Sequence, residues 1–204
     1  MKVKNYMLKK ENLKTIDVNL SIESALNILN KNGMLSLPVM GGNECIGAIY
    51  KVDILEKLNK KEINKNSIVG EAYRIGTGLM KEDDDIEEAS NDLLIGKTAF
   101  IPVYNENNEF TGILTHTSIF KAFSHILGFK KGTRITLISY NIPGRVSVVS
   151  KIVSDLGGNI LTIAVEDTKV MDIYRILLRV ENCDINKLKE KLEEAGFKIE
   201  SICG

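Results

Sequence analysis

The sequence predicts an α+β protein, and three observations predict it. The first 125 residues contain an internal repeat, and each copy reads helix, strand, strand, helix. The last third reads strand, helix, strand, strand, helix, strand. The composition is that of an ordinary globular chain: 44% of the 204 residues are hydrophobic and 26% charged, too apolar for disorder.

The repeat appears as three matched segments. Ser21-Ile22-Glu23-Ser24-Ala25 matches Asp85-Ile86-Glu87-Glu88-Ala89, and Leu37-Pro38-Val39 matches Ile101-Pro102-Val103, both at an offset of 64 residues. Ile46-Gly47-Ala48-Ile49 matches Thr111-Gly112-Ile113-Leu114 at an offset of 65. The extra residue falls where Gly41–Glu44 becomes the longer Asn105–Glu109, a polar hairpin turn that tolerates it. In the first copy, Ile22, Ala25, Leu26 and Leu29 share one helical face, and Gly33 ends the helix as a left-handed cap. A strand over Leu35–Met40 contains Pro38, which lacks a ladder donor, so this strand is expected at an edge or short. A second strand runs Cys45–Tyr50. A second helix starts at Asp53, with Asp53 and Glu56 spaced for a capping box. The second copy gives strands Ala99–Tyr104 and Phe110–Thr115 and a helix from Ser118. One copy of about 60 residues is marginal alone; two packed through their sheets bury enough.

After Ser124 the pattern changes. Gly128–Gly132 is a connector, and Arg134–Tyr140 is an alternating, β-branched strand. Asn141-Ile142-Pro143-Gly144 is a turn. Val146, Val149, Ile152, Val153 and Leu156 form a helical stripe that Gly157-Gly158-Asn159 stops. Ile160–Glu166 and Ile173–Val180 are strands around a polar hairpin. Ile185, Leu188 and Leu192 mark a helix ended by Gly196, and Phe197–Ile202 is a last strand. This β-α-β-β-α-β order is the ferredoxin-like arrangement. The domains are therefore read as 1–64, 65–127, a linker at 128–132, and 133–204.

Composition excludes several function classes. Lys+Arg and Asp+Glu number 27 each, which argues against a duplex-DNA binder or a basic membrane-surface protein. No apolar run is long enough to span a bilayer, and the polar start Met1–Asn5 leads into no signal-peptide core. Cys45, Cys183 and Cys203 form neither a disulfide framework nor a metal knuckle. A cytoplasmic protein is the expectation. His116 and His125 have no partner at metal spacing, and Glu82–Asp85 lacks the calcium-loop spacing and reads as an acidic helix start. No phosphate-binding glycine loop occurs, and no nucleophile–base pair supports an enzyme of acetoin or amino-acid metabolism.

The repeated unit resembles a CBS domain, and the tandem pair a Bateman module. The resemblance rests on Thr15-Ile16-Asp17-Val18, Leu37-Pro38-Val39 and Gly47–Asp53, and on Ile101-Pro102-Val103 and Gly112–Ser118 in the second copy. The last third resembles an ACT domain through Asn141-Ile142-Pro143-Gly144 and Gly158-Asn159-Ile160. Two CBS copies and one ACT domain resemble the acetoin-utilisation protein B type. The CBS resemblance implies an adenine nucleotide, AMP-, ADP- or ATP-like, as regulatory ligand between the copies, and no required cofactor. In that pattern, G-h-h-[ST]-x-x-[DN], the hydroxyl contacts phosphate and the acidic residue the ribose. The implied contacts are Thr15, Leu37, Pro38, Tyr50 and Asp53 from the first copy, and Leu79, Ile101, Pro102, Thr115, His116 and Ser118 from the second. Neither copy completes the pattern: Tyr50 stands where Ser or Thr is expected, and Ser118 where Asp or Asn is expected. Helix capping alone also explains Asp53 and Ser118, strand propensity Thr115, and turn chemistry or packing Thr15 and Leu79. His116 also reads as a solvated loop residue.

The ACT resemblance implies an amino acid or other small ligand at Asn141, Pro143, Gly144, Asn159 and Ile160; a tight turn and a helix stop are the plainer reading. The whole is expected to be a homodimeric, non-catalytic sensor without nucleic-acid or membrane partners, working by population shift. The alternative is an assembly or regulatory subunit with decayed nucleotide sites that binds a partner enzyme.

Overall fold

Leu8–Lys9 (β1) and Ile16–Asp17 (β2) open the chain in the computed structural model, which describes residues 1–76, 78–96 and 98–204. There follow Ile22–Lys31 (α1), Ser36–Gly41 (β3), Glu44–Tyr50 (β4), Lys51–Asn59 (α2), Arg74–Ile75 (β5), Met80–Lys81 (β6), Ile86–Gly96 (α3), Phe100–Tyr104 (β7), Phe110–Thr115 (β8) and His116–Ile126 (α4). The remainder is Thr133–Tyr140 (β9), Arg145–Asp155 (α5), Asn159–Asp167 (β10), Ile173–Glu181 (β11), Ile185–Glu194 (α6) and Lys198–Cys203 (β12). The chain divides into two units, Met1–Ala122 and Phe123–Gly204.

The N-terminal unit holds two four-stranded sheets, β2-β3-β4-β5 and β1-β8-β7-β6. Each borrows an edge strand across the repeat. β1, which precedes the first copy in sequence, pairs with β8 of the second; β5, from the connecting stretch, pairs with β4 of the first. Two glycines at matching repeat positions admit these strands. A Cβ on Gly47 would overlap the Arg74 carbonyl oxygen and lie 2.7 Å from the Tyr73 ring. A Cβ on Gly112 would overlap the Leu8 carbonyl oxygen and lie 3.2 Å from the Lys9 Cα. The glycine that opens the G-h-h-[ST] motif is thus accounted for by strand approach.

Pro38 does not mark an edge strand. β3 lies inside its sheet, parallel to β2 and antiparallel to β4. The structure accommodates the missing donor by shortness of the neighbour: β2 pairs only from Val39, one residue past Pro38, and β6 likewise only from Val103, one residue past Pro102. The sheets are joined through Met40, Cys45, Ala48, Phe100, Phe110 and Ile113, which form one apolar cluster. Two tyrosines tie it laterally: the Ala99 amide donates to the Tyr50 hydroxyl at 3.0 Å, and the Tyr104 hydroxyl donates to the Cys45 carbonyl at 3.2 Å. Burial pushes the Cys45 thiol up to about 11, so it stays protonated at neutral pH and packs as a small apolar group.

The C-terminal unit has sheet order β10-β11-β9-β12, all antiparallel, with α5 and α6 in the crossovers. This is the ferredoxin-like order the sequence predicts. Ile135, Leu137, Ile176 and Leu178 pack beneath Val149 and Val153 of α5 and Leu188 and Leu192 of α6. Gly157 and Gly196 take φ of +73° and +78° after their helices, as the stop positions require.

Candidate functional site

In both repeats the second strand runs directly into a helix, and these two helix starts build the candidate site. α2 begins at Lys51, not Asp53. Tyr50 holds the preceding extended backbone, and the Lys51 amide donates to the Leu35 carbonyl at 2.9 Å. Asp53 therefore lies inside the first turn and caps nothing. Its carboxylate takes two hydrogen bonds from Arg74, at 2.5 Å from Nε and 2.6 Å from Nη2. The Arg74 guanidinium also stacks 4.6 Å from the Tyr50 ring centroid. The acceptor expected for ribose is thus spent on a cation of the chain's own β5, and the pairing raises the Arg74 pKa further.

The second copy shows a different departure. α4 begins at His116, not Ser118. The Thr115 hydroxyl accepts from the Ser118 amide at 3.1 Å and lies 3.1 Å from the Ser118 hydroxyl. Thr115 is the cap, and its early placement starts the helix two residues sooner than the sequence suggests. Ser118 is only 3% exposed, so its hydroxyl serves the helix start rather than a ligand surface. His116 and Thr117 are exposed.

Between the helix starts lies a cavity of about 660 Å³, lined by Tyr50, Lys51, Val52 and Leu55 on the α2 side, Thr115, His116 and Thr117 on the α4 side, and Leu35, Ser36 and Ala99 between. A second cavity of about 260 Å³ shares Leu35, Ser36, Ala99 and Thr115 with it and adds Lys14, Leu37, Pro38 and Phe100 among its walls. The structure thus brings together Leu37, Pro38, Tyr50, Thr115 and His116 of the predicted set. Thr15 lines a separate polar groove with Lys14, Asn27 and Asn32. Leu79 is exposed, and Ile101 and Pro102 are buried in β7; none of these three lines either cavity. The sequence reading missed Lys14, Lys51, Val52, Ala99 and Thr117. Lys51 and Thr117 sit inside the motifs already noticed and were the most accessible signal; Lys14 and Ala99 carry none.

The C-terminal unit carries its own pocket of about 260 Å³ at the β9–α5 turn, where Asn141, Pro143 and Gly144 meet Tyr140, Arg145 and Tyr174. Gly144 has φ +87° and precedes the helix. Asn159 and Ile160 are not there. They begin β10 beyond the far end of α5, and the Asn159 side-chain Nδ2 donates to the Glu181 carboxylate at 2.9 Å. A helix of 11 residues spans about 16 Å, which separates the two predicted halves of this site within one chain.

Among the described residues no group of three His, Cys, Asp or Glu side chains could hold a metal ion, and no helix is long and apolar enough to cross a membrane. A family model described as "CBS domain" matches residues 3–60 and 80–125. The structure resembles that of CBSX2 in complex with AMP, at 26% identity and TM-score 0.53 over 61% of this chain and 97% of that one. It also resembles CbpB in complex with c-di-AMP, at 20% identity and TM-score 0.55 over 63% and 87%. A third match is a CBS domain pair/ACT domain protein from Thermotoga maritima, at 17% identity and TM-score 0.51 over 61% and 98%.

Proposed function

This chain belongs to the CBS domain family, and from that premise we propose that it is a cytoplasmic, non-catalytic regulatory protein that binds an adenine nucleotide between its two CBS copies. The observation that carries the reading is the pair of helix starts facing one cavity of about 660 Å³. A helix start offers amide donors without intrahelical partners to a phosphate. Thr115 and Thr117 add hydroxyls, Lys51 and Lys14 add cations, and Leu35, Val52 and Ala99 add an apolar wall for a base. The AMP-bound CBSX2 supports the ligand class. Because Thr115 keeps the hydroxyl that Tyr50 replaces in the first copy, the second copy is the half we assign to the phosphate, and because Asp53 is held by Arg74 the sugar relies on groups other than Asp53. Homodimerisation, an ACT identity for the C-terminal unit, and a smaller ligand such as an amino acid at the Asn141–Gly144 turn belong to the same proposal. Binding works by favouring one arrangement of the CBS copies or of the dimer.

Thermal unfolding with AMP, ADP, ATP, S-adenosylmethionine and cyclic di-AMP tests it. A ligand at about 100 times its dissociation constant adds about 2.7 kcal/mol. The expected result is a shift with one nucleotide that Thr115→Ala removes and Asp53→Ala leaves in place. A shift lost in Asp53→Ala instead would move the site to the first copy and show that the ligand displaces Arg74.

The Asp53–Arg74 pair and the burial of Ser118 also favour a second reading, an assembly subunit that has given up nucleotide binding and holds a partner enzyme. Absence of a shift with every nucleotide, together with a defined enzyme recovered in stoichiometric complex, would select it.

A further inference from the structure

We propose that the face of the C-terminal sheet turned away from α5 and α6 carries a second binding site, for a small carboxylate, formed by Arg134 and Thr136. The groove there has a volume of about 380 Å³ and is lined by Arg134, Thr136, Glu166, Arg175, Leu177 and Glu200 among others. The register explains the grouping. Arg134 and Thr136 are two apart on β9, so they share a face about 7 Å apart along the strand, while Ile135 and Leu137 point into the helix-covered core. Leu177 of β11 lies opposite Thr136 and forms the floor.

The polar groups of this groove are unevenly used. Arg175 is paired on both sides: its Nε and Nη2 donate to Glu200 at 3.0 and 3.1 Å, and its Nη1 donates to Glu166 at 2.9 Å. Arg134 makes no ion pair among the described residues. Its Nε is buried without a hydrogen-bond partner, and so is the hydroxyl of Thr136, a residue only 1% exposed. Buried polar groups of folded proteins are nearly always partnered; a third orphan, Arg179 Nε, stands opposite Arg134 on β11, and the two that share β9 and line one groove point to a missing acceptor between them. The Nε–Nη edge of a guanidinium presents two parallel donors, the spacing of a carboxylate's two oxygens, and the threonine hydroxyl supplies a third. Glu166 and Glu200 in the same groove oppose ligands of higher negative charge, which selects a carboxylate over a phosphate dianion. This site is separate from the CBS cavity and from the Asn141–Gly144 turn, and it stands whichever of those binds a ligand.

The experiment is an NMR titration of the full chain with acetate at fixed ionic strength, following backbone amides and arginine Nε–H signals. Saturable shifts are expected at Arg134 Nε–H and at Thr136, weakened at least about tenfold in Arg134→Gln, as loss of a charge-assisted pair implies. Thr136→Val keeps the shape and removes only an unpaired hydroxyl, so it should fold at least as well as the parent while still weakening acetate several-fold. Lys198→Gln, an exposed change on β12, should leave acetate binding unchanged. Unsaturable shifts, acetate binding equal to the parent in both β9 variants, or inorganic phosphate binding more tightly than acetate would each overturn the proposal.

Discussion

Gly112→Ala should destabilise the N-terminal unit by about 3 kcal/mol, as backbone overpacking that side-chain motion cannot relieve does. The new methyl would overlap the Leu8 carbonyl oxygen, with the Leu8 carbonyl carbon at 3.1 Å and the Lys9 Cα at 3.2 Å. All three are backbone atoms of β1, so relief requires β1 to leave β8. Much follows β1 out. Val3 is fully buried, its amide donates to the Asp84 carbonyl at 3.0 Å, and the Lys4 amide donates to Glu82 at 2.9 Å. For a chain of this size each kcal/mol moves the melting temperature by about 2–4 °C, so a fall of roughly 6–12 °C is expected. Hydrogen exchange should show lost protection at Val3, Lys4 and the β1–β8 pair before the C-terminal sheet opens. Gly47→Ala should act the same way on β5, where the Tyr73 ring and the Arg74 carbonyl stand in the path. Gly76→Ala is the control, since its nearest neighbour would lie at an ordinary 3.7 Å. If Gly112→Ala melts with Gly76→Ala, strand exchange does not explain the motif glycine.

That result bears on what could be read from the sequence. Repeats, helix stripes and most strands were legible because each is a local pattern of apolar spacing with a glycine or turn at its end. Thus Ile22, Ala25 and Leu29 are buried on α1 as their spacing predicts, and the βαββαβ order appears with its expected sheet. Exchange of β1 and β5 was not legible. Both strands are two residues long, too short for alternation to register, and their partners are set by tertiary approach to Gly112 and Gly47. The helix starts were misplaced for a related reason. Asp53 and Ser118 have the composition of caps, but the backbone turns earlier, at Tyr50 and Thr115, and the freed carboxylate finds Arg74. Nothing local marks Arg74: it stands 21 positions from Asp53, and only the β4–β5 pairing makes them neighbours. Tyr50, Thr115 and His116 reach the larger cavity because they flank strand–helix junctions, whereas Leu37 and Pro38 are buried inside β3, as Ile101 and Pro102 are inside β7, and line only the smaller cavity. Asn159 was grouped with the Asn141–Gly144 turn by resemblance alone, and the length of α5 parts them.

Arg145→Ala should cost the C-terminal unit about 2 kcal/mol, because one side chain carries three charge-assisted bonds together with stacking on a buried aromatic ring. Arg145 Nε donates to the Ser139 hydroxyl at 2.7 Å, Nη1 to the Ala195 carbonyl at 2.9 Å, and Nη2 to the Gly196 carbonyl at 2.9 Å. The guanidinium lies 3.6 Å from the centroid of the Phe197 ring, itself 3% exposed. The two carbonyls follow the last turn of α6, so the cation also meets the negative end of that helix. Arg145 thereby fastens the start of α5 to the end of α6 and sets the shape of the β9–α5 turn. Arg145→Lys keeps a charge but not the fork, and should recover no more than about half of the loss. Denaturant unfolding of the three proteins measures this directly. The same geometry constrains the pocket at Asn141–Gly144. Each nitrogen of Arg145 already holds one structural bond, which fixes the guanidinium on Ser139 and the end of α6, so the anion at this turn is expected to rest on main-chain amides of the turn and the first turn of α5. An Arg145→Ala protein with parent stability and abolished ligand binding would contradict this and make Arg145 the anion receptor. A protein that is less stable, yet still binds when measured well below its melting temperature, is the outcome the structure implies.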